Sequence, residues 1–190
     1  MLLDLSGKTI LGFLFWNLLL LEAHLPGGRF AWNGIDGVEG QRMEMQPVQF
    51  KDLTALLGLM RALQEDDPWS VPFREEQALE ALRNLVQHPE YGRAWLIHEN
   101  AQVIGYIVMS FDFSLEYGGR NAWVDEFFIA KPFRGKGIGT QVLEFFEDAA
   151  RDAGATAIHL EVNQGNKAID LYRRRGFTDH HRYLMTKWLG

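Results

Sequence analysis

Val124-Asp-Glu-Phe-Phe-Ile-Ala-Lys-Pro-Phe-Arg-Gly-Lys-Gly-Ile-Gly-Thr140 reads as a strand that runs into a glycine-rich turn and then into a helix. That order builds an anion site. Gly135, Gly137 and Gly139 let the backbone approach a ligand closely. The N–H groups that open the helix point at the same place, with the positive end of the helix dipole behind them. Arg134 and Lys136 add positive charge there. A group carrying phosphate is the expected occupant. Turns of this kind also occur without a ligand, so a second feature has to decide the reading.

The second feature is Glu161-Val-Asn163-Gln-Gly-Asn166-Lys-Ala168-Ile-Asp-Leu171-Tyr172-Arg-Arg-Arg-Gly176-Phe177. Ile158, Leu160 and Val162 alternate to one side, as in a strand that breaks at Asn163 to Asn166. A short helix follows and stops at Gly176, a residue suited to a left-handed cap. Together the two blocks resemble the GNAT superfamily of N-acetyltransferases. Its coenzyme-A motif, Arg/Gln-x-x-Gly-x-Gly/Ala, stands here as Arg134-Gly135-Lys136-Gly137-Ile138-Gly139. Its second signature stands as Asn166, Ala168, Tyr172, Gly176 and Phe177.

Outward from these blocks the pattern is regular. A first strand is expected over 45–50, and Asp52 could cap a helix carrying Leu53, Leu56, Leu57, Met60 and Leu63. The acidic turn Gln64-Glu-Asp-Asp67-Pro68 ends it. A second helix covers about 75–87, closed by Pro89. Strands follow over 94–98, 103–113 and 122–130, then an amphipathic helix from Ile138 to Gly154. A closing strand is expected over 183–188. The strand–helix–strand unit over 122–162 demands a parallel pair with a right-handed crossover, so the sheet is mixed. The resemblance, which covers about 45–189, implies an α/β GNAT fold. In that fold a mixed central sheet flanked by helices has two parallel strands that splay apart around the acetyl-CoA site.

Residues 43–190 are thus expected to form an N-acetyltransferase domain, preceded by an extension over 1–42. The extension is apolar over 10–21 and then rich in glycine. It can be read as an upstream accessory segment, as a membrane anchor or signal with a poor cleavage site, or as a packed extra helix. The chain of 190 residues carries a net charge of −6, which argues against a nucleic-acid partner and fits a cationic small substrate. With no cysteine, disulfides, thiolate metal sites and an acyl-cysteine intermediate are excluded. The six histidines show no metal-ligand spacing, so no metal is expected. A cytoplasmic location is expected. A homodimer is left open, as the family often pairs.

Acetyl transfer to an amine meets a physical barrier before any bond forms. A primary ammonium with a pKa of about 10.4 is neutral in about one molecule in two thousand at pH 7, equivalent to roughly 4.5 kcal/mol. The thioester carbonyl gathers negative charge and the departing thiolate needs a proton. Asp125 and Glu126 are adjacent on one strand, so strict alternation sends them to opposite faces, one of them toward a substrate cleft as base or ammonium anchor. Their strand looks like that of the spermidine/spermine N-acetyltransferases. The resemblance further implies that Tyr172 is the general acid, that Asn166 bonds the pantetheine arm, and that backbone N–H groups of Phe128, Ile129 and Ala130 receive the acetyl carbonyl. Residues Arg134 to Gly139 with Thr140 would then bind the coenzyme phosphates. Arg173 to Arg175 could reach those phosphates too, although cations are favoured at a helix end anyway.

Acetyl-CoA is therefore the expected co-substrate, and a polyamine, diamine or similar small cation the expected acceptor, by direct transfer in a ternary complex. Glu65, Asp66 and Asp67 are either a substrate-facing acidic loop or a solvated turn. Trp69, Phe73 and Tyr117 could shape the same pocket. Two other readings stay open: acetylation of a protein N-terminus or lysine, and a non-catalytic acyl-CoA-binding module.

Overall fold

The computed structural model describes residues 30–32, 43–68 and 72–189. Strands β1 (Phe30–Trp32), β2 (Met43–Pro47), β3 (Gly92–Glu99), β4 (Gln102–Ser114), β5 (Gly119–Ile129) and β6 (Ala157–Leu160) form one six-stranded sheet in chain order. All neighbours are antiparallel except β5 and β6. Helices α1 (Leu53–Asp66) and α2 (Glu75–Gln87) cover one face. Helix α3 (Ile138–Asp152) covers the other, and the short α4 (Ile169–Arg174) packs beside it. This is the mixed, helix-flanked α/β arrangement expected from the sequence.

Each face is written in the strands. Ala94, Leu96, Tyr106 and Val108 face α1 and α2, while Trp95, Ile97, Ile107 and Met109 face α3. On α1, Leu53, Leu56, Leu57 and Met60 recur at helical spacing and are all buried. On α3 the same holds for Ile138, Val142, Leu143, Phe146 and Ala150. Burying one such large side chain contributes about 1.5–3 kcal/mol, so α3 is a principal anchor of the phosphate turn that precedes it. Two helix ends are set by proline. Asp67 before Pro68 and His88 before Pro89 both leave the helical region (ψ 84 and 77), because the proline ring crowds the preceding residue. Asp52 serves the entry to α1 indirectly: its carboxylate accepts the Gln49 N–H at 3.0 Å and closes the 3₁₀ turn Phe50–Asp52.

Two expectations change. Residues 183–188 form no strand. The chain after α4 finds no strand partner, and Tyr183, Leu184, Met185, Trp188 and Leu189 are exposed. Its tail is tied to the β4–β5 turn by a fork from Arg182 to Glu116, 2.7 and 3.1 Å. The last parallel strand is also shorter than its alternation suggests, ending at Leu160 rather than Val162. Within 1–42, Phe30–Trp32 pairs with Met43 to Met45 as β1. The apolar stretch 10–21 and Trp69 lie outside the described residues. Among the described residues no helix is long and apolar enough to cross a membrane.

Candidate active site

Strands β5 and β6 pair from Asn121↔Ala157 to Val124↔Leu160 and no further. Beyond Val124, β5 runs on to Ile129 alone on that side, which opens a gap in the sheet. The two sequence blocks end on its two banks. The loop after β5 carries the phosphate turn, and the loop after β6 carries Asn163, Asn166 and then Tyr172 on α4.

The phosphate turn is shaped as its sequence requires, with one exception. Gly135 (φ 76) and Gly137 (φ 81) take left-handed backbone, and a Cβ on either would meet nothing within 4 Å. The space beside them is open to a ligand, and Gly137 caps α3 so that the first N–H groups of that helix lack intrahelical partners. These residues fit a diphosphate. Gly139 serves another purpose. A Cβ there would meet Leu171 Cδ2 at 2.9 Å, so its missing side chain lets α4 pack against α3. Ile138 is buried in the core and offers only its backbone, and Thr140 sits in the first turn of α3. Lys136 is exposed above the Phe133 ring at 5.3 Å. Arg134 turns away from the turn: Nε donates to the Ile129 carbonyl at 2.6 Å, and the guanidinium lies over Phe128.

The acidic pair is where alternation fails. Val108 pairs with Glu126 and Met109 with Val124, so Asp125 is an extra residue in β5, a bulge. Glu126 consequently turns to the α1 face, where the buried Tyr106 donates its hydroxyl to Oε2 at 2.7 Å. Asp125 raises the proton affinity of both Glu126 and Tyr106 through its charge. Burial, opposed in part by the Tyr106 hydrogen bond, pushes the Glu126 carboxyl up to about 7. Asp125 has an exposed outer surface, yet the protein flanking it also raises its carboxyl above the usual range. Tyr106 is held far above the phenol range by burial first and the Glu126 charge second, so it remains a donor.

The three backbone donors also sort themselves. Ala130 N–H is already donated to the Ile104 carbonyl at 2.8 Å, and is not free for an acetyl oxygen. Alternation turns Phe128 N–H the same way, toward β4, and leaves those of Ile129 and Phe127 directed at the gap. Phe128 packs its ring against the α1 side.

On the opposite bank, Tyr172 packs edge-on against Phe177 at 5.7 Å. Burial, and then the charge of Asp67, push its phenol up to about 12. It keeps its proton at neutral pH. Asn166 is engaged at both ends: Oδ1 accepts the Ala168 N–H at 2.8 Å, and Nδ2 donates to Asp67 Oδ2 at 2.9 Å. Asn163 Nδ2 donates to Asp67 Oδ1 at 2.7 Å. Asp66 pairs with Lys131 Nζ at 2.8 Å and Arg134 Nη2 at 2.6 Å, and these two hold its carboxyl below the usual range. Of the arginine run, Arg175 is committed to Glu144 and Glu147 of α3 at 2.8–3.1 Å. Arg173 and Arg174 are exposed. Phe73 packs against the α1 core, and Tyr117 meets His159 edge-on at 4.5 Å.

Sequence reasoning missed Tyr106, which reads as one more apolar strand residue, and the ties of Asp67 and Asn163. The only sequence cue was Pro68, which pushes Asp67 out of α1. A cavity of about 580 Å³ between α2, β2 and β3 contains none of these groups. A smaller one of about 290 Å³ does, lined by Asp66, Phe128, Ala130 and Lys131 at the mouth of the gap.

Known proteins share the fold and part of the sequence. Residues 56–177 match the Acetyltransferase (GNAT) family. A thialysine N-epsilon-acetyltransferase of Bos taurus is 33% identical over 78 residues, covering 40% of this chain and 45% of that protein. An aminoalkylphosphonate N-acetyltransferase of Salmonella typhimurium is 33% identical over 91 residues, covering 47% and 58%. The chain thus spans about half the length of these relatives. An integron cassette protein from the mobile metagenome of Cole Harbour Salt Marsh is 32% identical, with a TM-score of 0.67 over 77% of this chain and 90% of that one. A predicted acetyltransferase from Clostridium acetobutylicum, solved with acetyl-CoA, shares the fold at 19% identity and a TM-score of 0.66 over 76% and 96%. With the family matching across the gap and both of its banks, the chain belongs to the GNAT acetyltransferase family.

Proposed function

We propose that the chain is an acetyl-CoA-dependent N-acetyltransferase that acetylates the primary amine of a small cationic molecule, with residues 43–190 as its catalytic domain and 1–42 as an extension. The observation that carries this reading is Glu126. A carboxyl that titrates near 7 at the unpaired end of β5 is matched to taking a proton from an ammonium at neutral pH. Asp125, next to it and exposed, supplies the negative charge that holds the ammonium before deprotonation. The Ile129 N–H, aimed into the gap, receives the acetyl oxygen as it gathers charge. Tyr172, protonated up to about 12, donates to the leaving sulfur. Coenzyme A would lie with its diphosphate on Gly135 to Gly139 and the first turn of α3, and supply the activated acetyl group. No protein nucleophile is needed, and the chain has no cysteine to serve as one. The named activities of the two relatives, on thialysine and on aminoalkylphosphonates, are both transfers to small amines and support the same substrate class.

The test is release of free coenzyme A from acetyl-CoA, read by thiol titration across diamines, polyamines, aminoalkyl phosphonates, aminoglycosides, amino acids and a lysine peptide. A cysteine-free protein adds no thiol background. Turnover with small amines is expected. Turnover with the peptide alone would replace the small-amine reading, and silence across the panel with coenzyme A bound would remove the catalytic one.

A further inference from the structure

The C-terminal end of α1 lies across the mouth of the gap and touches both banks. Asp66, the last helical residue, reaches Lys131 and Arg134 on the β5 side. Asp67, turned out of the helix by Pro68, reaches Asn163 and Asn166 on the β6 side. Neighbouring carboxylates thus satisfy donors belonging to two different loops, and the Asp67 charge is felt at Tyr172. The chemistry of these contacts is informative. A carboxylate is an acceptor-only anion, as is a phosphate, and the amide nitrogen of Asn166 that it occupies is one that could meet a pantetheine carbonyl.

We propose that Asp66 and Asp67 form an internal competitor for coenzyme A, whose binding must displace their carboxylates from Arg134 and Asn166. This rests on the coenzyme-A reading above. The design is consistent with the exposure of the groups. Lys131 and Arg134 are 74% and 40% exposed, and pairs of that kind are weak and easily exchanged for a better ligand. Asp67 is held by neutral amides rather than by cations, so it too is displaceable. Glu65 provides the internal control. It is exposed, on the same turn, with the same charge, and it takes no part in the contacts of Asp66 and Asp67.

Calorimetric titration of the full chain with coenzyme A decides the matter, using wild type, Asp67→Ala, Asp66→Ala and Glu65→Ala, each checked by thermal melting. The expected result is a dissociation constant about fivefold lower in Asp67→Ala, the factor set by losing one competing hydrogen-bond pair. A smaller gain is expected in Asp66→Ala, and less than half the Asp67→Ala gain in Glu65→Ala. The two aspartates act through separate partners, so either variant suffices if the other melts early. Unchanged or weaker binding in both aspartate variants, or an equal gain in Glu65→Ala, overturns the proposal and leaves the acetyltransferase reading in place. Failure of the wild type to bind coenzyme A overturns both.

Discussion

Replacing Tyr106 by Phe removes one hydroxyl from a fully buried ring and leaves its volume unchanged. The lost interaction is the 2.7 Å donation to Glu126, which holds the carboxyl lower than burial alone would. Hydrogen bonds to charged groups contribute about 1.5–3 kcal/mol, and one pKa unit corresponds to about 1.4 kcal/mol, so the Glu126 carboxyl should rise by about 1–2 units. Starting from about 7 in the wild type, this leaves only a small fraction ionised at neutral pH. The assay is kcat/KM for the amine from pH 5.5 to 10, from thiol release at saturating acetyl-CoA. Because the amine itself titrates, the ratio of variant to wild type is compared at each pH. The ratio should lie between about one-fifth and one-fiftieth at pH 7 and climb back toward one above pH 9. A ratio that is flat with pH, or an acid limb that moves down, would refute the assignment of Glu126 as the base that Tyr106 tunes.

Further outcomes follow from the same site. Glu126→Gln should abolish turnover yet stabilise the fold. The carboxyl binds its proton more tightly folded than unfolded, so its contribution to stability falls as pH rises from about 4.5 to about 7. The variant should therefore gain up to about 3 kcal/mol at pH 8 and little at pH 4.5, read by denaturant titration at both values. Tyr172→Phe should lower kcat about 100-fold while leaving the coenzyme-A dissociation constant within about twofold, measured by stopped assay and calorimetry. Arg175→Ala should cost about 1–3 kcal/mol in chemical denaturation, because Glu147, only 18% exposed, loses its short contacts and keeps only the longer one to Arg151 at 3.6 Å.

Local patterns were the legible ones. The phosphate turn and α3 are contiguous in sequence, and their glycines, charges and periodicity predict the element order around them. What the sequence withheld depends on partners far along the chain. Alternation alone sends Asp125 and Glu126 to opposite faces; only the register against β4 reveals the extra residue. Tyr106 acquires its role from a carboxylate in the next strand, and nothing in its own neighbourhood announces that. Gly139 belongs to a glycine-rich motif, yet the atom that requires it small is Leu171 Cδ2 on another helix. Residues 183–188 have the composition of a strand, but a strand also needs an edge to pair with, and composition does not supply one.

The bulge in β5 has a consequence for how such a chain could change. Ala122, Val124, Phe127 and Ile129 all face α3, and Phe128 faces α1. Counting along the strand, the step from Val124 to Phe127 has the wrong parity unless one residue is surplus, and that residue is Asp125. Removing it would leave every other side chain of β5 on its present face, so the packed core has no stake in its presence. Yet it stands immediately after the last β5–β6 pair, where a bulge bends its strand away from a neighbour. A lineage that lost this single codon would inherit the same core and the same sheet order. It would lose one of the two acids and the bend beside the gap while keeping the ancestor's architecture.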